Sequence, residues 1–340
     1  MYERFFGFRE RPFDLTPNPR FLVLTDSHRE VLSNLEYGIS SKKGVTLVVG
    51  EAGSGKTTLI RTVLERQPQR VHSVHLNNPM LSRDEFVETL AGKFGLSDRA
   101  AGSKAVMLQE LEVLLAERHA RGETTVLIVD EAQSLSLELL EEVRLLANTE
   151  TNEEKLLPVI LAGQPELADR LNDQNLRQLK QRVALRCELL PLSDRDTAAY
   201  VAGRIAVAGG VASQVFTREA VSLIHKASRG VPRMVSVLAD NALLGGFARG
   251  EKPVGSRIVA EVCRDFDLLM PVESAPPPVA VAVPSQLIAE RAAVEPQRAQ
   301  VQPGPTTAEP SGGLVTVPAH PGQGLFAQFA LKRKRFFNWN

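Results

Sequence analysis

The sequence predicts an α/β protein, with a parallel five-stranded sheet flanked by helices, then a small all-helical domain, then a disordered tail. Three observations predict it. From residue 45 to about 190, short β-branched apolar runs alternate with stretches of helical spacing. That is the pattern of a parallel sheet covered on both faces. From 193 to 268 the strand-like runs stop and only helical spacing remains. After about Met270 the composition changes to Pro, Ala, Val and Gln, with 11 of the 21 prolines in the last 70 residues. Such a segment has too little apolar surface to offset the entropy of ordering it.

The elements follow in order. Residues 1–40 open with an aromatic, Pro-punctuated segment (Phe5, Phe6, Phe8, Pro12, Phe13, Pro17, Pro19, Phe21) that reads as loop-rich. A helix over 26–40 carries the apolar stripe Val31, Leu32, Leu35 and Ile39, with Asp26 or Ser27 as its N-cap. In the sheet domain, 41–191, strands are expected at 45–49, 71–76, 124–129, 157–162 and 184–190. Helices are expected there at 55–66, 82–95, 104–121, 135–147 and 174–182. In the helical domain, 192–269, helices at 194–208, 217–228, 231–248 and 255–268 are separated by Gly209-Gly210, Gly230-Val231-Pro232 and the 250–253 stretch. A linker over 270–325 leads to a basic, aromatic terminus over 326–340. There Lys332, Arg333, Lys334 and Arg335 precede Phe336, Phe337 and Trp339. Such a peptide suits anionic headgroups with aromatics at the interface, or a groove on a partner protein.

Bulk composition narrows the function classes. Lys plus Arg equals Asp plus Glu at 40 each, so no global charge pulls the chain to nucleic acid or anionic membrane. Cys187 and Cys263 are too few for a disulfide framework or a zinc cluster, and read as buried small hydrophobes in a reducing compartment. The N-terminus lacks the apolar core of a signal peptide, and no run is long enough to span a membrane.

The chemistry is concentrated in two motifs. Gly50-Glu51-Ala52-Gly53-Ser54-Gly55-Lys56-Thr57, continuing into Thr58, fits G-x-x-x-x-G-K-[ST] between a strand and a helix. In that setting backbone N–H groups at the helix start point at phosphates, and the helix dipole favours negative charge. Lys56 would reach the β- and γ-phosphates and the Thr57 hydroxyl would hold Mg²⁺. The second motif is Thr124 to Val129, an apolar strand that ends in Asp130 and Glu131. Asp130 would bind Mg²⁺, and Glu131 would polarise an attacking water as general base.

The order of glycine loop, Val129-Asp130-Glu131-Ala132-Gln133, Ala162-Gly163-Gln164-Pro165-Glu166-Leu167 and Gly230-Val231-Pro232-Arg233 resembles the AAA+ superfamily. More narrowly, the chain resembles the general secretion pathway protein A (ExeA-type) ATPases. Phe5-Phe6-Gly7-Phe8, Pro12-Phe13, Leu15 to Phe21 and His28-Arg29-Glu30 match that family too. The resemblance covers residues 1–269. It implies a P-loop NTPase sheet domain with a helical lid, ATP as the nucleotide, and further roles. Gln164 matches sensor 1, which senses the γ-phosphate and orients water. Arg182 stands where the family places an arginine finger, with Arg177 and Arg186 as competitors. A finger implies a homo-oligomer, because it reaches the ATP of a neighbouring subunit. Arg233 matches sensor 2, which touches the phosphates and couples lid position to nucleotide state. The stretch from Leu15 to Leu22, with the helix at 28–36, would wall the adenine.

Two functions compete on this reading, ahead of a signalling switch that binds ATP and hardly turns it over, which the presence of both Glu131 and Arg182 disfavours. The first is a cytoplasmic ATPase, peripheral at the inner membrane through its tail, that energises or switches assembly of a bacterial envelope export system. Its partner would be an envelope-assembly protein. The second is a DNA-associated AAA+ regulator similar to transposition-regulator ATPases. The first 270 residues hold a slight excess of acid over base, which disfavours tracking along phosphates.

Overall fold

The apolar runs pair into one parallel sheet: β1 (Val45–Gly50), β2 (Val71–Leu76), β3 (Thr124–Val129), β4 (Val159–Gly163) and β5 (Val183–Leu189). The strand order is β2-β3-β4-β1-β5. This architecture comes from a computed structural model that describes residues 1–16, 18–77, 80–151 and 154–268. The linker and tail expected over 270–340 lie outside the described residues.

The helices are α1 (Tyr2–Phe6), α2 (Asp26–Ser40), α3 (Lys56–Arg66), α4 (Arg83–Phe94), α5 (Asp98–Ala101), α6 (Lys104–Ala120) and α7 (Leu137–Leu146), then α8 (Pro165–Arg170) and α9 (Arg177–Arg182). Beyond the sheet come α10 (Asp194–Val207), α11 (Ala212–Val215), α12 (Arg218–Ser228), α13 (Pro232–Arg249) and α14 (Ser256–Asp265).

Side chains alternate across a strand, so each apolar strand supplies two cores. Val45, Leu47 and Val49 of β1 face one way, with Leu127, Val129, Val159 and Leu161, onto α4, α6 and α7. Val48, Val126, Ile128, Ile160 and Ala162 face the other way, onto α2 and α3. Several helix starts are capped by side chains. Ser82 and Glu85 form a reciprocal capping box at α4, and Ser136, Ser193 and Thr217 cap α7, α10 and α12.

The structure differs from the sequence reading in several local places, among them the added short helices α5 and α11 and a β4 that begins at Val159 and not at 157. The N-cap of α2 is Thr25, whose hydroxyl accepts from the His28 N–H. Asp26 and Ser27 already lie inside the first turn. The entry segment begins with a helical turn, α1, closed by Gly7 at φ 83°. The stretch 174–182 is a 3-10 turn over Gln174–Leu176 followed by α9. Finally, α8 follows β4 directly because Pro165 occupies the first helical turn, where its missing N–H costs nothing.

The entry segment packs on the helical domain. Tyr2, Phe6, Phe8, Phe13 and Phe21 share a core with Tyr200, Ile205, Leu238 and Ile258. Arg204 of α10 fixes the attachment. Its guanidinium donates to the carbonyls of Pro12 (2.6 Å) and Asp14 (3.0 Å) and to the Tyr200 hydroxyl (2.6 Å), and it lies against the Phe21 and Tyr200 rings.

Candidate functional site

Strand order explains how the two motifs meet. The glycine loop leaves the C-terminal end of β1, and Asp130 and Glu131 leave the C-terminal end of β3. In the sheet β4 lies between them, so Gln164, just past the end of β4, falls between the two motifs. Open α/β sheets hold ligands outside these carboxyl ends.

Glycines shape the loop where side chains would not fit. Gly53 and Gly55 have φ 79° and 103°, which L side chains rarely adopt. A Cβ on Gly50 would lie 2.7 Å from Ser54 Oγ and 2.9 Å from Leu189 Cβ. The 11-residue helix α3 starts at Lys56 behind Gly55, which has no side chain to cap it. Its first-turn N–H groups therefore face the loop unclaimed by a cap.

Inside the cradle, Lys56 is buried and its ammonium donates to the carbonyls of Gly50 (2.8 Å) and Glu51 (3.1 Å). Burial pulls its pKa below the ordinary lysine value, while the carboxylates of Glu131 and Asp130 oppose that shift. Ser54 Oγ is buried and has no protein partner. A buried hydroxyl without a partner and an ammonium resting on carbonyls both fit an anion. Thr57 Oγ1 donates to Asp130 Oδ2 at 2.6 Å, joining the two motifs. Among the described residues no group of three His, Cys, Asp or Glu side chains is arranged to hold a metal. The Thr57–Asp130 pair offers two hard oxygens, which suits Mg²⁺ with waters and phosphate oxygens completing its shell.

Glu131 adopts φ 53°, an uncommon conformation for a non-glycine residue that often marks functional sites. Its exposed carboxylate accepts from Gln133 Nε2 at 2.6 Å. The same amide, through Oε1, accepts the Gln164 N–H at 3.1 Å. Arg170 of α8 donates to the Gln133 carbonyl. Gln133 was read from the sequence only as part of a family motif, and no spacing signal marks it as a bridge.

Arg233 joins the cluster through its backbone. Its N–H donates to the Gly53 carbonyl at 3.2 Å, and its Cβ would be 2.4 Å from a Cβ on Gly53. The Gly230-Val231-Pro232-Arg233 motif accounts for this geometry. Gly230, at φ 73°, lies so close to Leu192 that an added Cβ would meet the Leu192 carbonyl oxygen at 2.1 Å. Pro232 then starts α13 and delivers Arg233 to the loop.

Arg182 is not brought into this cluster. It ends α9 at the N-terminal edge of the sheet, where Val183 pairs with Val45 and the Arg182 carbonyl lies near Gly44. A strand's length, roughly 17 Å, separates it from the chain's own loop. Arg182, Arg177 and Arg186 are all exposed. In the stretch expected to wall a base, Leu15 is exposed, Phe21 is buried with the helical domain, and Leu22 packs toward α2 and α3.

His28 opens the helical stretch expected to wall the adenine, and it is buried beside the loop. Its Nδ1 shares a 2.6 Å hydrogen bond with Thr25 Oγ1, and its ring lies within hydrogen-bonding reach of the Ser54 backbone. Burial lowers its pKa, with Asp196 of α10 pulling the other way.

Comparison with known proteins agrees with this geometry. A family model described as an AAA domain matches residues 39–171. The chain is 42% identical over 255 residues to general secretion pathway protein A of Aeromonas hydrophila, which bears out the narrower resemblance. The match covers 75% of this chain and 46% of that protein, so the chain spans about half the length of this relative. Among solved structures, the Aeropyrum pernix ORC2 protein superposes with a TM-score of 0.58 at 18% identity, over 76% of this chain and 72% of that one. Cdc6p of Pyrobaculum aerophilum superposes with a TM-score of 0.58 at 14% identity, over 77% and 71%. At these identities the likeness is one of fold.

Proposed function

We propose, from the premise that this chain carries an AAA domain and is a relative of general secretion pathway protein A, that it binds ATP with Mg²⁺, hydrolyses it, and uses the cycle to drive or switch assembly of a bacterial envelope export system. One observation carries the catalytic part: Lys56, Thr57, Asp130 and Glu131 converge at one end of the sheet, joined by the Thr57–Asp130 hydrogen bond.

The roles follow from the donors and acceptors present. The N–H groups of the loop and of the first turn of α3 receive the β- and γ-phosphates, with the helix dipole in favour. Lys56 exchanges its two carbonyl partners for phosphate oxygens, and Ser54 gains the partner it lacks. Thr57 and Asp130 hold Mg²⁺, which neutralises charge on the phosphates when bound. Glu131 accepts a proton from the water that attacks the γ-phosphorus, as the bond to the ADP oxygen breaks. Gln164 orients that water. Arg233 links the nucleotide to the helical domain from α13, and Arg182 serves a neighbouring subunit's site. On this reading the protein is a cytoplasmic homo-oligomer that meets its envelope partner at the inner membrane.

Exchange of Glu131→Gln tests the mechanism. It removes the base and keeps the size and polarity of the side chain. Fluorescent-ATP affinity should change less than about threefold while turnover falls at least about 100-fold, the usual scale for a lost general base. An unchanged hydrolysis rate rejects Glu131 as the base.

A further inference from the structure

The Gln133 side chain bonds both the Glu131 carboxylate and the Gln164 backbone, and we propose that it is a positioning residue that holds Glu131 in register with Gln164 during hydrolysis. The proposal rests on the ATPase reading above and adds to it a residue with no role there.

The geometry is specific. A glutamine amide has a donor end and an acceptor end, and here each end is used once. The NH₂ group donates to Glu131 Oε2 at 2.6 Å, and the carbonyl oxygen accepts the Gln164 N–H at 3.1 Å. The first contact orients the carboxylate that receives the proton. The second fixes the backbone from which the Gln164 side chain departs. Gln133 thus spans from the end of β3 to the end of β4.

The surroundings support that span. Gly163 is the last residue of β4, and a Cβ there would lie 2.8 Å from Gln133 Oε1. Only a residue without a side chain lets the amide come this close to the strand end. On the other side, Arg170 donates to the Gln133 carbonyl and ties the short turn Ala132–Ser134 to α8. Backbone and amide are therefore held independently, as a part that sets the position of other groups should be.

The test separates positioning from folding and from the ATPase reading itself. Wild type, Gln133→Leu, Gln133→Glu, Glu131→Gln and the double variant Glu131→Gln with Gln133→Leu are compared in the full chain. ATP turnover, affinity for a fluorescent ATP analogue and the melting temperature are measured for each. Gln133→Leu should lower kcat by about 10- to 100-fold, the cost of a misplaced catalytic group, with nucleotide affinity within about twofold. Gln133→Glu keeps the acceptor for the Gln164 N–H but loses the donor to Glu131, so its turnover should fall as well. In the Glu131→Gln background, Gln133→Leu should add a clearly smaller loss than it causes alone, because one of the two groups it holds, the Glu131 carboxylate, is already gone. Turnover within twofold of wild type in both single Gln133 variants overturns the proposal. So does a full additional loss in the double variant, which would show that Gln133 acts elsewhere. Absence of Glu131-dependent turnover in the wild-type chain would instead reject the ATPase reading, and this assignment with it.

Discussion

Lys56 and Arg204 are both buried cations, 4% and 8% exposed, and their partners differ in kind. Lys56 is a point charge on a flexible stem, resting on the carbonyls of Gly50 and Glu51 beside a hydroxyl with no partner. Arg204 is a planar fork with two carbonyls and a phenol hydroxyl at 2.6–3.0 Å and two aromatic rings against it. The first arrangement can trade its acceptors for a stronger anion. The second is already satisfied at each contact and has nothing to exchange. A buried charge therefore marks a ligand site when its partners are replaceable and its surroundings incomplete. It marks a structural fastening when the partners come from separate elements and close around it.

Substitution breaks the comparison most sharply at Lys56. Lys56→Ala should weaken ATP binding by at least about 100-fold, the worth of one or two charge-assisted hydrogen bonds, as read by titration with a fluorescent analogue. Its melting temperature should hold or rise, because a desolvated charge is removed. Arg204→Ala should do the reverse. It leaves the Pro12 and Asp14 carbonyls without the guanidinium, leaves the Tyr200 hydroxyl with Ser236 alone, and opens the packing between Phe21 and Tyr200, which should cost about 3 kcal/mol in denaturant unfolding. Arg204→Lys should recover little of it, since an ammonium cannot reproduce the fork. A melted Lys56→Ala, or an Arg204→Ala within 1 kcal/mol of wild type, would show that the distinction drawn from partners is wrong.

The sequence exposed the parts whose signal is local. Five strands, the glycine loop, the Asp130-Glu131 pair and the helix breaks at Gly209-Gly210 and Gly230 are all written in short runs of residue type. Contacts that bridge distant segments were not legible. Arg204 reads as one more surface cation in a helix, because its acceptors, the carbonyls of Pro12 and Asp14, are backbone atoms some 190 residues away. Gln133 carries no signal of its bridge to Gln164, since that depends on β4 lying beside β3 in the sheet. The Thr25 cap was missed by one position, because Thr25, Asp26 and Ser27 are all good capping residues and only the backbone turn selects among them. The motif Gly230-Val231-Pro232-Arg233 was legible as a break, but its contact with Gly53 became visible only in three dimensions.

His28 sharpens the comparison with a third way of burying a titratable group, which is to keep it neutral. Its ring sits between Thr25 and the Ser54 backbone of the phosphate loop, and burial holds its pKa below the ordinary histidine value. The sign follows from which state binds the proton more readily. Between the lowered folded value and the unfolded value near 6.5, the unfolded chain carries more charge on this residue. The contribution of His28 is thus intact above about pH 6.5 and is lost as pH falls through the folded value. Asp196 softens the loss because its carboxylate favours the protonated ring. Unfolding free energies of wild type and His28→Gln, measured at pH 7.5 and at pH 5, should therefore diverge in one direction. Wild type should lose more stability on acidification, and the difference should be smaller than either effect above. Identical pH dependence in the two proteins would mean that the ring takes up its proton without leaving the Thr25 and Ser54 contacts. His28 would then belong with Arg204, as a cation the fold can accommodate in place.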